Sequence, residues 1–412
     1  MEHVTKNPTA LNAVVDRVRR VPDRYREFRV SPERAEWSHR LGRKLLDELT
    51  DAGLPYRGSS RDRRYDDRDL SNISLDLRLS SARYLAMRGW AGSLKSPPSD
   101  DDLHEVEITG RPPETAPDSP RFSPSELLRS LPTFSEVGNG RYRLRLAPDR
   151  RESPLCDAVG ELFAPVADLW FHVLPDKLRE DLGFLRETGL ADCNLAAKFV
   201  VERAEAHGMR ARRAFGFFLA VPYSIDHVWT EVHVDDAWYS FDPHLLNTLV
   251  ELGLLSGREW PMRRSIGQST RSLAFAEDPL VTVAGAGVEL SMPTRVVSAH
   301  EITPPPRRQD GATDPTPRAS DAPSDDSLPK TVDEGIEHQL QLVASTYLRT
   351  LPHDVDLNAD LMEIGFDSIA LINLIRDIDE RFGVKMDPDI VLDGPTLKSI
   401  RDHLLTISQE DA

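Results

Sequence analysis

The spacing of apolar residues changes along the chain, and each spacing predicts a different kind of element. In the first part of the sequence they recur every three to four residues, which predicts amphipathic helices over 8–20 and 32–52. A charged run of mixed sign follows at 61–69 and is typical of a solvent-exposed loop. Strand-like alternation appears over 141–146. Residues 1–150 are therefore predicted to be a helical or mixed N-terminal region, whose role the residue types do not indicate.

Beyond residue 155 the pattern predicts helices followed by strands. The predicted helices cover 155–170, 175–188 and 192–207. The predicted strands cover 212–221, 228–234 and 237–241, with breaks at Pro222 and at the turn Asp235-Asp236. Helices segregated from an antiparallel sheet in this way indicate an α+β domain, which we place at 151–302.

Helical spacing returns in the C-terminal part of the chain. Three apolar stripes predict three helices: Ile336, Leu340, Val343 and Tyr347; Leu371, Leu374, Ile375, Ile378 and Phe382; and Leu397, Ile400 and Leu404. Asp387-Pro388 and Gly394-Pro395 begin a short turn or helix and the last helix, because proline suits a first helical position. We therefore predict a small all-α four-helix bundle over 331–412.

A proline-rich stretch, 303–330, separates the two folded parts. It holds seven prolines and almost no large apolar residue, which predicts a semi-extended linker between two bodies. A second stretch rich in proline, aspartate and serine, 96–120, is interpreted as an exposed loop or a joint within the larger body.

Charge and cysteine content exclude several classes of function. The net charge of −17 argues against a nucleic-acid partner, because phosphate binding needs basic surface. Residues 333–412 carry six Lys/Arg against 17 Asp/Glu, and such acidity suits a small module that docks on basic partner enzymes. Two cysteines cannot form a disulfide framework, and no stretch is long and apolar enough for a signal region or a membrane span. We expect a cytoplasmic protein that binds no membrane and holds no metal.

Cys193, His227 and Asp242 form the candidate site. Cys193 lies in the first turn of a predicted helix, where free N–H groups and the helix dipole favour a thiolate. His227 precedes one predicted strand and Asp242 ends the next, so an antiparallel pairing would bring them together. A thiolate, a base and a carboxylate that orients the base suit acyl transfer. Taken singly, Cys193 could be a small buried residue and Asp242 part of an ordinary strand-ending turn.

The segments DCNLAAKFVVERAEAHGMRARRAFGF and DHVWTEVHVDDAWYSFDPH resemble the core of the transglutaminase-like cysteine enzymes. The shared features are a cysteine that opens a helix, a His-x-Trp-x-Glu-Val run, and Trp-x-x-x-Asp-Pro. The resemblance implies a papain-like core in which Cys193 is the nucleophile, His227 the general base and acid, and Asp242 the residue that orients it. The backbone N–H of Cys193 is a candidate oxyanion donor.

The run Gly365-Phe366-Asp367-Ser368-Ile369 marks a second candidate site. A serine at the start of a helix is often only an N-cap. The surrounding segment LMEIGFDSIALINLIRDIDERFGV, however, resembles acyl and peptidyl carrier proteins. The resemblance implies that Ser368 carries a covalent 4′-phosphopantetheine, attached by a phosphopantetheinyl transferase.

The fusion of these two modules predicts the function. We expect Cys193 to accept an acyl group from a phosphopantetheine thioester and to pass it to an amine, forming an amide in polyketide or nonribosomal peptide-type biosynthesis. The expected partners are an acyl-loading enzyme or other carrier domains, and an amine acceptor. One alternative is a hydrolase or protease in which water replaces the amine. Another is a scaffold without catalytic activity, whose carrier domain presents cargo to separate enzymes.

Overall fold

The chain forms two compact units, Met1–Thr303 and Pro304–Ala412. The structure is a computed structural model that describes residues 8–59, 62–99, 101–111, 120–138, 140–150, 152–298, 332–348, 355–359, 361, 374, 378, 381–382 and 396–410. The predicted linker at 303–330 and Ser368 lie outside these residues. The predicted division of the first unit at residue 150 stays a prediction.

The first unit combines helices with antiparallel sheets, which confirms the α+β class. Its helices are α1 Pro8–Arg19, α2 Pro32–His39, α3 Arg43–Asp51, α4 Asp67–Asp76, α5 Ala82–Lys95, α6 Glu126–Arg129, α7 Gly160–Phe163, α8 Leu182–Thr188, α9 Cys193–Ala206 and α10 Pro243–Glu251. Its strands are β1 Phe28–Val30, β2 Tyr65–Asp66, β3 Asp102–Arg111, β4 Phe122–Pro124, β5 Ser135–Gly138, β6 Arg141–Leu146, β7 Trp170–Phe171, β8 Leu190–Ala191, β9 Ala211–Phe218, β10 Ile225–Val234, β11 Ala237–Phe241, β12 Thr270–Ala274, β13 Val281–Val283, β14 Ala286–Gly287, β15 Glu289–Ser291 and β16 Thr294–Ser298.

The single helix predicted over 32–52 is wrong, because the chain forms two helices there. The first, α2, ends where Arg40 adopts the left-handed conformation with φ 58°. The second, α3, begins after Gly42. Its apolar face, with Leu46 and Leu49, enters a core shared with α1 and α4.

The charged run at 61–69, predicted to be an exposed loop, instead contributes to this core. Tyr65 is fully buried in β2, which pairs with β1. Asp66 caps α4 by accepting hydrogen bonds from the N–H groups of Arg68 and Asp69 at 3.0 and 3.2 Å. Asp69 accepts a hydrogen bond from Arg26 Nε at 2.6 Å in a buried ion pair. Each buried acid thus has a partner, which is the condition under which charges can be buried.

The sheet that carries the candidate site has the antiparallel order β11-β10-β9-β12. The strand predictions for this region are confirmed, and 237–241 matches β11 at both ends. Helix α9 packs on this sheet, with Leu195 and Val200 beside Val232 and Phe241 in one apolar cluster. Gly216 of β9 allows β12 to approach closely, since a Cβ at this position would lie 2.0 Å from the carbonyl oxygen of Arg271.

A second sheet has the order β15-β3-β6-β5, with β16 also paired to β3. The strand predicted over 141–146 is confirmed as β6. The loop predicted over 96–120 is wrong in part, because β3 lies within it. The partners of β3 are β6, β15 and β16, and the last two come far later in the sequence.

The helix predicted over 155–170 is also wrong. This segment forms 3₁₀ turns around the short α7 and then enters β7. Pro165 would be an interior residue of the predicted helix, where its missing N–H removes a backbone hydrogen bond. In the structure it lies in the first turn of a 3₁₀ segment, where no such bond is needed. The helix predicted over 175–188 divides into a 3₁₀ turn and α8, which Asp181 caps. The helix at 192–207 is confirmed as α9, followed by Gly208 with φ 68°.

Most of the residues that the structure describes in the second unit are helical. Helices α11 Val332–Leu348 and α12 Leu397–Glu410 contribute to one apolar cluster. Its buried members include Leu340 and Val343 of the first predicted stripe, Leu374 and Ile378 of the second, and Leu397, Ile400 and Leu404 of the third. Across the described residues of both units, no helix is long and apolar enough to cross a membrane.

Candidate active site

The position of Cys193 is fixed by the residue that precedes it. Asp192 caps α9, because its Oδ1 accepts a hydrogen bond from the Leu195 N–H at 2.9 Å. Its Oδ2 accepts a hydrogen bond from Arg179 Nε at 2.5 Å. Cys193 is thereby held as the first residue of the helix, and its side chain is half-buried.

His227 lies on β10 opposite Gly216 of β9. It is 8 % exposed, with Phe218 edge-on at 5.9 Å and Trp229 stacked at 6.3 Å between ring centroids. These contacts hold the ring at the end of the sheet that faces the start of α9.

Asp242 follows β11 directly and caps α10. Its Oδ1 accepts a hydrogen bond from the Leu245 N–H at 2.8 Å, and its Oδ2 accepts one from His227 Nε2 at 2.7 Å. Pro243 occupies the first turn of α10, a position that suits proline. Two side-chain oxygens thus serve two purposes, one structural and one directed at the histidine.

The structure brings the three predicted residues together. Because His227 Nε2 donates to Asp242, Nδ1 is the ring nitrogen left for the hydrogen bond between His227 and Cys193. Burial lowers the pKa of His227, but negative charge on Cys193 and Asp242 outweighs this effect and raises the pKa to about 10. The arrangement therefore favours the protonated form of the imidazole.

Cys193, His227 and Asp242 open on a cavity of about 310 Å³. One side of the cavity comes from the N-terminal region, which contributes Arg68, Arg83 and Trp90. The other residues that line it are Phe171, Val173, Leu174, Asp176, Arg179, Asp192, Ile225, Asp226, His244, Leu245 and Glu277. Residues 1–150, whose role the sequence did not indicate, thus line part of the candidate site.

A larger cavity of about 980 Å³ lies among α1, α2 and α3. The residues that line it are Leu11, Asn12, Glu36, Gly42, Arg43, Lys44, Leu45, Glu48, Asp51 and Ala52. None of these is a cysteine, serine or histidine, so this cavity offers no nucleophile and no imidazole base. The smaller cavity is the candidate active site.

Arg179 joins the helix that carries Cys193 to a loop beside the cavity. It donates to Asp192 and, through Nη1, to Glu277 Oε1 at 2.8 Å. Burial acts to lower the pKa of Arg179, and the charges of Asp192, Cys193 and Glu277 raise it further than burial lowers it. This guanidinium is therefore already neutralised by two carboxylates.

His244 has a partner that the sequence did not reveal. It is 1 % exposed, its Nε2–H donates to the carbonyl oxygen of Ala191 at 3.0 Å, and its ring stacks on Phe171 at 5.9 Å. Burial lowers the pKa of His244, so the ring is neutral. Its Nδ1 has no hydrogen-bond partner among the described residues. The only signal in the sequence was its position two residues after Asp242.

A helix-borne cysteine, a histidine on a strand and an aspartate at the end of the next strand are typical of a cysteine-based enzyme domain. Comparison with protein families agrees: the transglutaminase-like superfamily matches residues 175–243, and the phosphopantetheine attachment site matches residues 338–404. The chain is therefore a fusion of a transglutaminase-like domain and a carrier domain, as the two resemblances predicted. No curated protein matches the chain.

The carrier domain implies a covalently attached 4′-phosphopantetheine, a phosphopantetheinyl transferase that attaches it, and enzymes that act on its cargo. Ser368 falls within the matched range and outside the described residues. Its role as the attachment residue stays a prediction.

Proposed function

We propose that the protein transfers an acyl group from a phosphopantetheine thioester to an amine, with Cys193 as the covalent intermediate. The observation that supports this most directly is the hydrogen-bonded set of Cys193, His227 and Asp242 beside a cavity, in a chain that also contains a carrier domain. A carrier domain holds acyl groups as thioesters, and a cysteine exchanges with a thioester at little cost in free energy. The expected setting is polyketide or nonribosomal peptide-type biosynthesis.

The first half of the reaction moves the acyl group to the enzyme. The thiolate of Cys193 attacks the thioester carbon, and the bond between that carbon and the pantetheine sulfur breaks. The pantetheine thiolate leaves and takes the proton from His227 Nδ1. We expect N–H groups at the start of α9 to stabilise the oxyanion that forms in between.

The second half releases the product. An amine attacks the acyl carbon on Cys193, neutral His227 accepts the amine proton, and the bond between carbon and sulfur breaks. His227 and the Cys193 thiolate return to the charged pair with which the reaction began. Asp242 holds the histidine ring in one orientation throughout and stabilises its protonated form.

The test is mass measurement of both candidate residues in the full-length protein. The carrier is loaded with an acyl group by a phosphopantetheinyl transferase and acyl-coenzyme A, and peptides containing Cys193 and Ser368 are followed with time. We expect acyl on Ser368 first, then on Cys193, and an amide once an amine is added. A Cys193→Ala variant should retain acyl on its carrier, whereas Cys156→Ala, which changes the other cysteine, should behave as the parent protein.

Other results would point elsewhere. Hydrolysis without amide formation, across a panel of amines, would favour the hydrolase. Failure of Cys193 to accept acyl from either its own carrier or a separate one would overturn the proposal. In that case, a Cys193→Ala protein that still delivers its cargo to another enzyme would identify a scaffold. If Cys193 of a Ser368→Ala variant accepted acyl from a separate loaded carrier, transfer would not depend on the fusion.

A further inference from the structure

Arg83 is the second residue of α5, and it lines the cavity that contains Cys193. Its Nε donates to Ser71 Oγ at 3.0 Å, which fixes the side chain. Its two terminal nitrogens make no hydrogen bond or salt bridge within the described part of the chain. Burial lowers the pKa of Arg83, and the charges of Cys193 and Asp67 act in the opposite direction. The guanidinium is thus partly desolvated and close enough to Cys193 for the two charges to interact.

The acids that line the same cavity are committed to other partners or lie exposed at its edge. Asp192 and Glu277 are paired with Arg179, and Asp242 is bonded to His227. Asp176 and Asp226 are exposed. Arg83 is therefore held in place without a carboxylate of its own, and its terminal donors remain available to a ligand.

We propose that Arg83 binds an anionic group, of the carboxylate kind, on the substrate that reacts at Cys193. This inference rests on the proposed function and narrows its substrate class. A planar guanidinium offers two parallel donors to a carboxylate, which is the geometry that arginine recognises best. The carboxylate belongs either to the acyl chain or to the amine, since an amino acid carries one beside its amino group.

The phosphate of the carrier arm does not fit this role. About thirteen bonds separate the phosphorus of phosphopantetheine from its sulfur, which is about 15 Å in an extended chain if three bonds span about 3.6 Å. Arg83 and Cys193 line one cavity of only about 310 Å³. With the thioester at Cys193, the phosphate lies well beyond Arg83, so the anion that Arg83 meets must be close to the reacting carbon.

The first experiment needs no natural substrate. Iodoacetate and iodoacetamide alkylate thiols by the same chemistry and differ in one negative charge. We expect the rate ratio of iodoacetate to iodoacetamide at Cys193, followed by peptide mass in the full-length protein, to fall about fivefold or more in Arg83→Gln, by the size of charge interactions at a partly buried site. Arg83→Lys should keep most of the preference, and Arg88→Gln, an exposed arginine on the same helix, should match the parent protein.

The ratio of the two rates distinguishes a loss of anion binding from misfolding, because a general loss of reactivity at Cys193 lowers both rates. His227 acts on both reagents in every variant, so its effect also cancels in the ratio. An unchanged ratio in Arg83→Gln would overturn the inference, whatever happens to acyl transfer. Conversely, a protein that shows the Arg83-dependent preference but never acquires an acyl group would contradict the proposed function while leaving the anion site in place.

A second experiment identifies which substrate carries the charge. Acylation of Cys193 is measured with a succinyl and a butyryl thioester of N-acetylcysteamine, which lacks the arm's phosphate. Release is then measured with glycine and glycinamide as acceptors. A preference for succinyl that Arg83→Gln removes assigns the carboxylate to the donor, and a preference for glycine that it removes assigns it to the acceptor. If neither preference depends on Arg83, the inference is wrong.

Discussion

Replacing Asp242 with asparagine separates the charge of this carboxylate from its contacts. Aspartate offers one oxygen to the Leu245 N–H and the other to His227 Nε2. Asparagine has a single carbonyl oxygen, so it keeps one of these hydrogen bonds and loses the charge. If its amide nitrogen faces His227, the ring must adopt the other tautomer, with the proton on Nδ1. In either orientation the protonated imidazole loses the negative charge of Asp242, one of the two partners that raise the pKa of His227.

The size of the effect follows from the geometry. Two unit charges about 4 Å apart interact by about 4 kcal/mol at an effective dielectric constant of about 20. A retained neutral hydrogen bond recovers about 1 kcal/mol. The remaining loss of about 3 kcal/mol corresponds to a protonation equilibrium for His227 that is roughly a hundredfold less favourable. We expect the rate of Cys193 acylation at neutral pH to fall by about ten- to a hundredfold, because the thiolate loses part of its imidazolium partner.

The same change should alter how stability depends on pH. The folded-state pKa of His227 is raised to about 10, above the value of about 6.5 for an unfolded histidine. Its contribution to the free energy of unfolding is therefore fully present below pH of about 6.5 and is lost as the pH rises through about 10. In Asp242→Asn this contribution is smaller and its loss occurs at lower pH.

Urea unfolding and Cys193 acylation, each measured between about pH 6 and pH 10, test both expectations. The matched control is Asp236→Asn, at an exposed turn position with φ 65° that asparagine adopts readily. If Asp242→Asn kept the acylation rate and the pH dependence of the parent protein, the role given to the carboxylate would be refuted.

Two further substitutions test the framework around the site. Gly216→Ala should destabilise the first unit by more than about 2 kcal/mol in urea unfolding, because its Cβ would lie 2.0 Å from the Arg271 carbonyl oxygen. The control is Gly92→Ala, which should be neutral or stabilising because no atom lies within 4 Å of the added Cβ. Burial raises the pKa of Asp69 to about 7 even beside Arg26, so the carboxyl is fully charged only above that pH. Arg26→Met should therefore cost up to about 3–5 kcal/mol at alkaline pH, by leaving this carboxylate without its partner, and less at acid pH, and addition of Asp69→Asn should recover part of the loss. The exposed pair of Arg43 and Glu33 supplies the control, since Arg43→Met should leave the free energy of unfolding nearly unchanged. Equal effects of the two arginine substitutions would contradict this expectation.

The residues of the candidate site could be proposed from sequence because local structure determines their arrangement. A cysteine that starts a helix, and a histidine and an aspartate on strands joined by the short turn at Asp235-Asp236, need only neighbouring segments to meet. The closeness of His227 and Asp242 follows from one antiparallel pairing. The same locality explains why α9 and β11 were predicted almost to the residue.

Features that depend on distant partners could not be predicted in this way. Asp69 is buried because Arg26 reaches it from a segment 43 residues earlier in the chain. Strand β3 was missed because its sequence neighbours are rich in proline and aspartate, while the strands that pair with it lie elsewhere. Arg83 is the clearest case, since nothing in its own segment indicates that α5 lies beside a cysteine more than a hundred residues later.

The separation of Arg83 and Cys193 along the chain indicates how the proposed substrate specificity arises. The transglutaminase-like match, 175–243, contains the groups proposed to break and form bonds, whereas Arg68, Arg83 and Trp90 come from the N-terminal region. A cysteine and a histidine can react with any thioester that reaches them. The residues that line the rest of the cavity can therefore determine which substrate reacts. On the proposed function, residues 1–150 would then determine which acyl group or amine is used, without taking part in the chemistry. Substitutions at Arg83 should accordingly change the choice between charged and neutral substrates far more than the rate with a neutral one.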